Sequence, residues 1–327
     1  MTAETEELAE QRLLEIRTSP HIRSPLATPQ VMRGVLIALI PASAASIYFF
    51  RIQALLLILT SVVACMGVEA LCQFLLKRPI SVGDGSAAVT GLLLALVLPP
   101  GLPLYYVALG AAFAIVIGKQ IFGGLGYNIF NPALIARAFL MAAFPGRLTT
   151  WLEPFTLKVV GSVDAITKAT PLALMKFYSE PTPLKNLFFG NVAGSLGETC
   201  ALALIIGAAF LLIKGYMDWR IPLSYLGIVF ILSALIWKFA PGSGSPLFHL
   251  LSGGLLLGAL FMATDPVTSP VTKTGRWLFG IGAGLLVIII RNWGGLPEGV
   301  MYSILLMNAV TPLINRLTKP KPFGAAK

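Results

Sequence analysis

Charged residues are scarce in this 327-residue chain, making up 12% of it, about half of the ~25% that is usual in soluble domains. That supply is too small to cover the surface of a soluble globule of this length. The net charge of +10 comes from Lys and Arg residues that are scattered at the ends of apolar segments. Because they are not clustered, the basic balance does not indicate a nucleic-acid-binding surface.

Cysteine and histidine are rare as well. Cys65, Cys72 and Cys200 lie in apolar runs without the spacing of a metal site or a disulfide framework, so we expect small buried hydrophobic residues there. His21 and His249 have no ligand spacing, and we assign them no role. Residues 2–17 are acidic and amphipathic and lack the apolar core of a signal peptide, so we expect the N-terminus in the cytoplasm.

Long apolar segments dominate the chain, each close to the length that crosses a hydrocarbon core of about 30 Å. The runs are continuous rather than alternating, which excludes a transmembrane barrel and predicts an all-α polytopic membrane protein with about ten transmembrane helices. The ten segments are roughly 34–50, 53–76, 86–99, 103–118, 129–145, 197–213, 221–239, 247–263, 277–291 and 297–314.

The distribution of Lys and Arg predicts the topology. With the N-terminus inside, the inner segments carry fifteen of these residues and the short outer loops carry three, as the positive-inside rule requires. Both termini are then inside and the long interruption is outside. The expected division is an N-terminal segment 1–33, a five-helix repeat 34–145, an outer loop 146–196, a second five-helix repeat 197–314 and a tail 315–327.

The two halves resemble each other. The run Gly91–Leu96 is echoed by Gly254–Ala259, and Gly123-Gly124 is echoed by Gly294-Gly295. Because five segments separate the copies, they face opposite ways, which is the inverted-repeat pattern of many transport folds. The segments 86–99 and 247–263 are short and end at Pro residues; paired interruptions of this kind point to a central binding site, although a plain Pro-terminated helix end explains them equally well.

Ionisable residues inside apolar segments are candidates for an ion path. We single out Glu69 in the second segment, Arg137 in the fifth and Asp265 at the break after the eighth, with mutual or backbone pairing as the alternative for Glu69 and Arg137. Asp84 and Glu198 lie near predicted helix starts, where N-capping is the simpler role. The motif residues that could line a flavin or ion site, or for the glycines simply allow close helix packing, are Gly123, Gly124, Asn128 and Asn131.

The outer loop contains one specific motif, Asp164-Ala165-Ile166-Thr167-Lys168-Ala169-Thr170. By itself it predicts only a Thr before Pro171 in an extended or turn conformation. It resembles, however, the flavinylation signal Asp-x-x-Ser/Thr-x-Ala-Thr, in which an extracytoplasmic flavin transferase attaches FMN to the last Thr as a phosphoester. The resemblance implies Thr170 as the covalent acceptor in accessible backbone, with Asp164, Thr167 and Ala169 as recognition residues.

The chain resembles one family from about residue 19 to residue 315. The motifs that carry this resemblance are Ser19–Arg23, Gly83–Ala87, Thr90–Ala95, Gly123–Gly126, Asn128 and Asn131–Ala133. The family comprises the D-type subunit of the Rnf electron-transport complex and the B-type subunit of the sodium-translocating NADH:quinone reductase, and the short N-terminus favours the Rnf type.

This resemblance implies a membrane flavoprotein subunit of a redox-driven ion pump in the bacterial inner membrane. Electrons would pass between ferredoxin and NAD, coupled to Na⁺ or H⁺ translocation. The implied cofactors are covalent FMN and, as a candidate, riboflavin within the helices. The implied partners are the other subunits of the complex and, during maturation, the flavin transferase. The alternatives are the B-type quinone-reductase subunit and a channel or transporter without a redox role.

Overall fold

The computed structural model describes residues 27–155 and 170–320, and in these ranges it is built of helices and connecting turns. The main helices, labelled in chain order, are α1 (Thr28–Leu75), α2 (Ser86–Leu96), α3 (Leu104–Ile115), α4 (Pro132–Ala143), α5 (Ala201–Ile213), α6 (Arg220–Phe239), α7 (Pro246–Leu251), α8 (Leu255–Leu257), α9 (Lys273–Trp293) and α10 (Val300–Leu317). Short π turns extend α3 through Val116–Gln120 and α8 through Gly258–Met262.

The 48-residue helix α1 is two membrane segments in one. Arg51 interrupts it with φ 53° and ψ −134°, a left-handed backbone that an L-residue rarely adopts and that separates the arms 28–50 and 52–75. The amide of Phe155 donates to the Phe49 carbonyl at 2.9 Å, so this break lies at the end of the bundle that carries the 146–196 segment.

The prediction of an all-α polytopic membrane protein is confirmed. Four helices, α1, α6, α9 and α10, are long and apolar enough to cross a membrane by length and composition, and shorter apolar helices lie between them. Each of the ten apolar segments corresponds to one helical stretch, with α7 and α8 together forming the eighth. Large apolar side chains such as Ile40, Val63, Ile231 and Leu313 are exposed on outward faces, as expected where lipid replaces water.

The two short helices α2 and α8 occupy the centre. Almost every residue of α2 is buried, as is every residue from Leu255 to Ala263, and a helix that is apolar on all sides belongs inside a bundle. A Cβ on Gly197 would lie 2.7 Å from a methyl group of Leu257 and 3.0 Å from the Leu96 Cβ. This glycine therefore lets the C-terminal end of α2 and the start of α8 meet at one point.

The same pairs of helices pack in each half. The second arm of α1 contacts α3, where the Cys65 Sγ lies 4.0 Å from the Ala111 carbonyl, and α6 contacts α9, where a Cβ on Gly284 would lie 2.8 Å from the Tyr225 carbonyl. α3 packs on α4 and α9 on α10. The packing agrees with a repeat of five segments, while the inverted orientation, the position of the termini and the domain limits stay predictions.

Two residues that count as loop charges in the sequence-based topology are buried in helices. Lys119 is 2% exposed in the π turn after α3, and Arg291 is 4% exposed in the last turn of α9. Lys119 lies one residue beyond the predicted segment 103–118 and Arg291 is the last residue of 277–291, and the helix continues past each of them. Each side chain is therefore drawn into the bundle, where Lys119 pairs with Glu69 and Arg291 donates to backbone carbonyls. Lys119 and Arg291 therefore carry less weight in the charge-based topology than residues at exposed helix ends.

Candidate functional site

Thr170 opens a short helix of the loop segment. Its Oγ1 accepts a hydrogen bond from the Ala173 amide at 3.4 Å, and Pro171 follows at the first helical position, so the Thr-Pro pair caps and starts Pro171–Ala173. An accessible acceptor was expected, but Thr170 as a whole is only 9% exposed, because its helix packs against the bundle. On its remaining side Thr170 borders a cavity.

The cavity beside Thr170 has a volume of about 330 Å³, within the ~300–1,000 Å³ range of ligand pockets. Its lining combines aromatic side chains with one cation and two carboxylates. The lining residues are Arg137, Met141, Thr149, Trp151, Thr170, Leu172, Ala173, Phe177, Tyr178, Glu198, Gly253, Leu296, Pro297, Glu298, Met301 and Tyr302. Both halves of the chain and the loop segment contribute, so this Thr170 cavity exists only in the folded bundle.

Arg137 lines the Thr170 cavity and lies beside both of its carboxylates. Its guanidinium donates to Glu298 from both terminal nitrogens, at 2.6 and 3.4 Å, and lies 3.9 Å from Glu198. The pairing of Arg137 with Glu69, which the sequence left open as an alternative, is wrong. The Arg137 partners lie 61 and 161 residues further along the chain and could not be read from local spacing.

Glu198 does not cap α5, so the N-capping prediction is wrong. The residue before α5 is Cys200, and it makes no side-chain cap. Glu198 instead accepts a short hydrogen bond from the Ser195 hydroxyl and turns toward Arg137. Asp84 does serve the start of a helix, because its carboxylate accepts from the Ser86 amide, the first residue of α2, at 2.7 Å.

Glu69 belongs to a second buried cluster, far from Thr170. It lies 18 residues beyond Arg51 on α1, or about 27 Å along the helix axis, so it is near the end opposite the loop segment. The Lys119 Nζ lies 2.7 Å from the Glu69 Oε1, and both side chains are at most 2% exposed. Gln120 also donates to the Glu69 carboxylate, at 3.0 Å, and Lys119 donates to the Ser86 hydroxyl at 2.5 Å.

Asp265 shares with Lys119 a small cavity between the two halves, near the end opposite the loop segment, and we call it the central cavity because both halves line it. The cavity has a volume of about 80 Å³, and Thr90, Asn128 and Asn131 line it too. Asp265 accepts from the Val267 amide and the Thr268 hydroxyl, each at 3.2 Å, and so closes the turn after α8. Of the candidate ion-path residues, the structure therefore brings Glu69 and Asp265 into the surroundings of Lys119 and leaves Arg137 at the other end.

The four motif residues after α3 have different structural roles. Asn131 caps α4 by accepting from the Ala133 amide at 3.1 Å, and its amide donates to the Met262 carbonyl at 3.3 Å, so it joins the two halves beside the central cavity. Asn128 bonds locally to Phe130. Gly123 and Gly124 have φ values of 122° and 103° and form a turn in which glycine is required; neither lines the central cavity.

Arg291 and Lys119 were missed by sequence reasoning as buried functional groups. The Arg291 guanidinium donates to the carbonyls of His249 and Ser252, at 2.6 and 3.0 Å, which satisfies the end of α7 where the eighth segment is broken. The sequence signal that could have identified Arg291 was a cation near the end of the segment that follows the broken eighth segment. Asp164, Thr167 and Ala169 lie outside the described residues, and their recognition role stays a prediction.

Comparison with known proteins now identifies the family. Residues 15–324 match the model of the "NQR2, RnfD, RnfE family", which is nearly the whole chain. The protein belongs to this family. The resemblance noted in the sequence is thereby confirmed, and it extends over the helices, the loop segment and both cavities.

Individual members of the family are similar over nearly their full length. The D subunit of the Na(+)-translocating ferredoxin:NAD(+) oxidoreductase complex of Acetobacterium woodii is 48% identical over 320 residues, 96% of each chain. The D subunit of the proton-translocating ferredoxin:NAD(+) oxidoreductase complex of Clostridium ljungdahlii is 44% identical over 97% of this chain and 98% of its own. The D subunit of the ion-translocating oxidoreductase complex of Stutzerimonas stutzeri is 42% identical over 90% and 92%. All three are named as D subunits, which agrees with the Rnf-type interpretation.

Proposed function

We propose that this chain is the flavin-carrying membrane subunit of a redox-driven ion pump, with FMN attached to Thr170 through a phosphoester. Electrons would pass through this flavin as the complex connects ferredoxin and NAD, and their passage would be coupled to ion translocation. The observation that carries the proposal is that the last Thr of the flavinylation signal borders a cavity of about 330 Å³.

The residues of the Thr170 cavity suit a flavin. Trp151, Phe177, Tyr178 and Tyr302 line it, and aromatic faces are favourable neighbours for a flat conjugated ring. The phosphoester would form at the Thr170 Oγ1, which acts as a hydrogen-bond acceptor toward Ala173 and needs no proton for that role. A bound flavin would supply one- and two-electron transfer, and the protein would position and tune it.

The second flavin implied by the family is not assigned to residues of this chain. The central cavity between the halves has a volume of about 80 Å³, far below the ~300 Å³ of the smallest ordinary ligand pockets. In this shape it has room for a few water molecules or an ion. We therefore derive no step through riboflavin there.

For the ion path we propose Glu69, Lys119 and Asp265. Ionisable groups inside a membrane protein are costly and mark ion routes by default. Glu69 and Lys119 pair at 2.7 Å, and Lys119 and Asp265 line one cavity between the halves. The relatives from Acetobacterium woodii and Clostridium ljungdahlii are named for different ions, sodium and protons, so the ion itself is left open.

The flavin assignment is tested on the protein produced together with its flavin transferase. Mass spectrometry of the peptide spanning residues 164–176 should show one FMN, and the denatured band should fluoresce under ultraviolet light. Thr170→Val should abolish both signals, whereas Thr170→Ser retains a hydroxyl and should keep them at least in part. A dark wild-type band, or a fluorescent Thr170→Val band, would refute the assignment.

The ion path is tested in the assembled complex, reconstituted in vesicles. Glu69→Gln and Asp265→Asn should reduce ion accumulation at least tenfold while leaving FMN on Thr170. Glu180→Gln, at an exposed position of the loop segment, is the control. Unchanged ion accumulation in both variants would exclude these carboxylates from the path, and that result would leave the flavin assignment standing.

A further inference from the structure

Arg137, which lines the Thr170 cavity, has one N–H without a hydrogen-bond partner among the described residues. Arg137 is 3% exposed, and its Nε has no hydrogen-bond partner among residues 27–155 and 170–320. Leaving a buried donor without a partner is costly, so native structures retain one mainly where a ligand or water satisfies it. The side chain that carries this donor lines the Thr170 cavity.

The two terminal nitrogens of Arg137 are held by the protein. Both donate to Glu298, at 2.6 and 3.4 Å, so the guanidinium is oriented before any ligand binds. A Cβ on Gly254 would lie 2.8 Å from the Glu298 Oε1 and 3.6 Å from the Glu198 Oε1. Both carboxylates are thus gathered at the α7–α8 break, and the absence of a side chain on Gly254 makes that gathering possible.

The charges around Arg137 are close to balanced. Glu198 and Glu298 lie on one side, and Arg291 is near enough to both carboxylates to interact with them electrostatically. Arg291 is nevertheless committed to the His249 and Ser252 carbonyls and does not line the Thr170 cavity. Of the cationic groups in the described chain, Arg137 is therefore the one that a ligand in this cavity would meet.

We propose that Arg137 contacts the flavin ring in the Thr170 cavity through its guanidinium, and that Glu298 limits how much positive charge the ring meets. The inference rests on the proposed FMN at Thr170 and adds the residue that tunes it. Arg137 then tunes the flavin as well as joining the two halves, since it is the one cation that the described residues contribute to the cavity lining.

The physical consequence is a shift in redox potential. Two-electron, one-proton reduction adds one negative charge to a flavin ring, and a guanidinium N–H in contact favours that charge. A hydrogen bond to a charged group corresponds to roughly a 10- to 100-fold preference. For a two-electron couple each tenfold preference is about 30 mV. Loss of the contact should therefore lower the midpoint potential by roughly 30–60 mV.

The experiment is a spectroelectrochemical titration of the covalent flavin in the purified protein. Arg137→Gln should lower the midpoint potential by about 30–60 mV. Glu298→Gln should raise it, because the guanidinium then keeps more of its charge for the ring. Arg147→Gln, which alters an exposed cation outside the cavity lining, should leave the potential unchanged.

Opposite signs for the two variants separate tuning from loss of structure, since general loosening of the cavity would shift both potentials the same way. If Arg137→Gln does not fold, Glu298→Gln alone decides, because it retains Arg137. An unchanged potential in Glu298→Gln, or shifts of the same sign, would overturn the inference. Absence of FMN from the wild-type 164–176 peptide would instead refute the proposed function on which it rests.

Discussion

Arg137 on α4 binds Glu298 through both terminal guanidinium nitrogens, at 2.6 and 3.4 Å, and so ties the first half of the chain to the turn that precedes α10. The two residues are 161 positions apart. Between them in sequence lies the loop segment with Thr170, and in space all three line one cavity. The flavin proposed for Thr170 would therefore sit where the halves are joined.

Loss of this pair should destabilise the fold. Glu298→Ala leaves Arg137 buried with a single carboxylate at 3.9 Å, and breaking a buried ion pair by removing one partner costs about 3–5 kcal/mol. Because Glu298 is 21% exposed, we expect the lower end, about 3 kcal/mol. The free energy of unfolding in detergent measures this loss, and Glu180→Ala, at an exposed position of the loop segment, is the control. Equal stability of the two variants would contradict the expectation.

The Glu69–Lys119 pair predicts non-additive mutations. Lys119→Met leaves the Glu69 carboxylate buried with only neutral donors, Gln120 and Gln73, and should cost about 3–5 kcal/mol. The double variant Glu69→Gln/Lys119→Met removes both charges and should recover most of that loss. A double-mutant cycle from unfolding measurements gives the coupling. Additive losses would show that the two charges do not depend on each other.

Two helical glycines form a matched pair for a packing test. A Cβ on Gly207 of α5 would lie 2.0 Å from the Ala38 carbonyl oxygen, whereas a Cβ on Gly227 of α6 meets nothing within 4 Å. Gly207→Ala should therefore destabilise the protein by about 1–3 kcal/mol, because backbone must move. Gly227→Ala should be neutral or stabilising by up to about 1 kcal/mol through helix propensity. Thermal unfolding of both in one detergent compares them, and the reverse order would show that α5 does not pack on α1 this closely.

Asp218 should make stability depend on pH at the end of the bundle opposite the loop segment. Burial raises the pKa of this carboxyl, but the Arg220 amide and the guanidinium groups of Arg276 and Arg220 outweigh it, so the pKa lies below its ordinary value of 3.8. A lowered folded-state pKa contributes stability that is present above 3.8 and is lost as the pH falls through the folded value.

The comparison of wild type with Asp218→Asn tests this dependence. At pH 7 the variant should be less stable by about 1 kcal/mol, because the groups are only partly buried and solvent weakens the pairing. The difference should shrink as the pH falls below 3.8, where the carboxyl is protonated first in the unfolded chain, and it should vanish below the lower folded-state pKa. Melting temperatures of both proteins from about pH 7 to about pH 3 measure it. A gap that stays constant over that range would assign the effect to packing rather than charge.

The sequence alone determined the fold class and the number of apolar segments, because the length of an apolar run and the scarcity of charge reflect the bilayer directly. It also marked Thr170, through a local motif, and the interrupted segments that became α2 and α8. Helix ends were less well predicted. The π turn after α3 continues past the predicted segment to include Lys119, and α9 continues past Arg291 to Trp293, since a charged residue can remain helical when the bundle supplies a hydrogen-bond partner.

Only the tertiary structure decided which charges meet. Glu69 pairs with Lys119 across 50 residues, and Arg137 pairs with Glu298 across 161; no periodicity or spacing encodes such partners, because they depend on how the helices pack. The cavity at Thr170 likewise forms from the loop segment and both halves together. A motif can name an acceptor residue, but the volume, the aromatic walls and the cation that surround it exist only after folding.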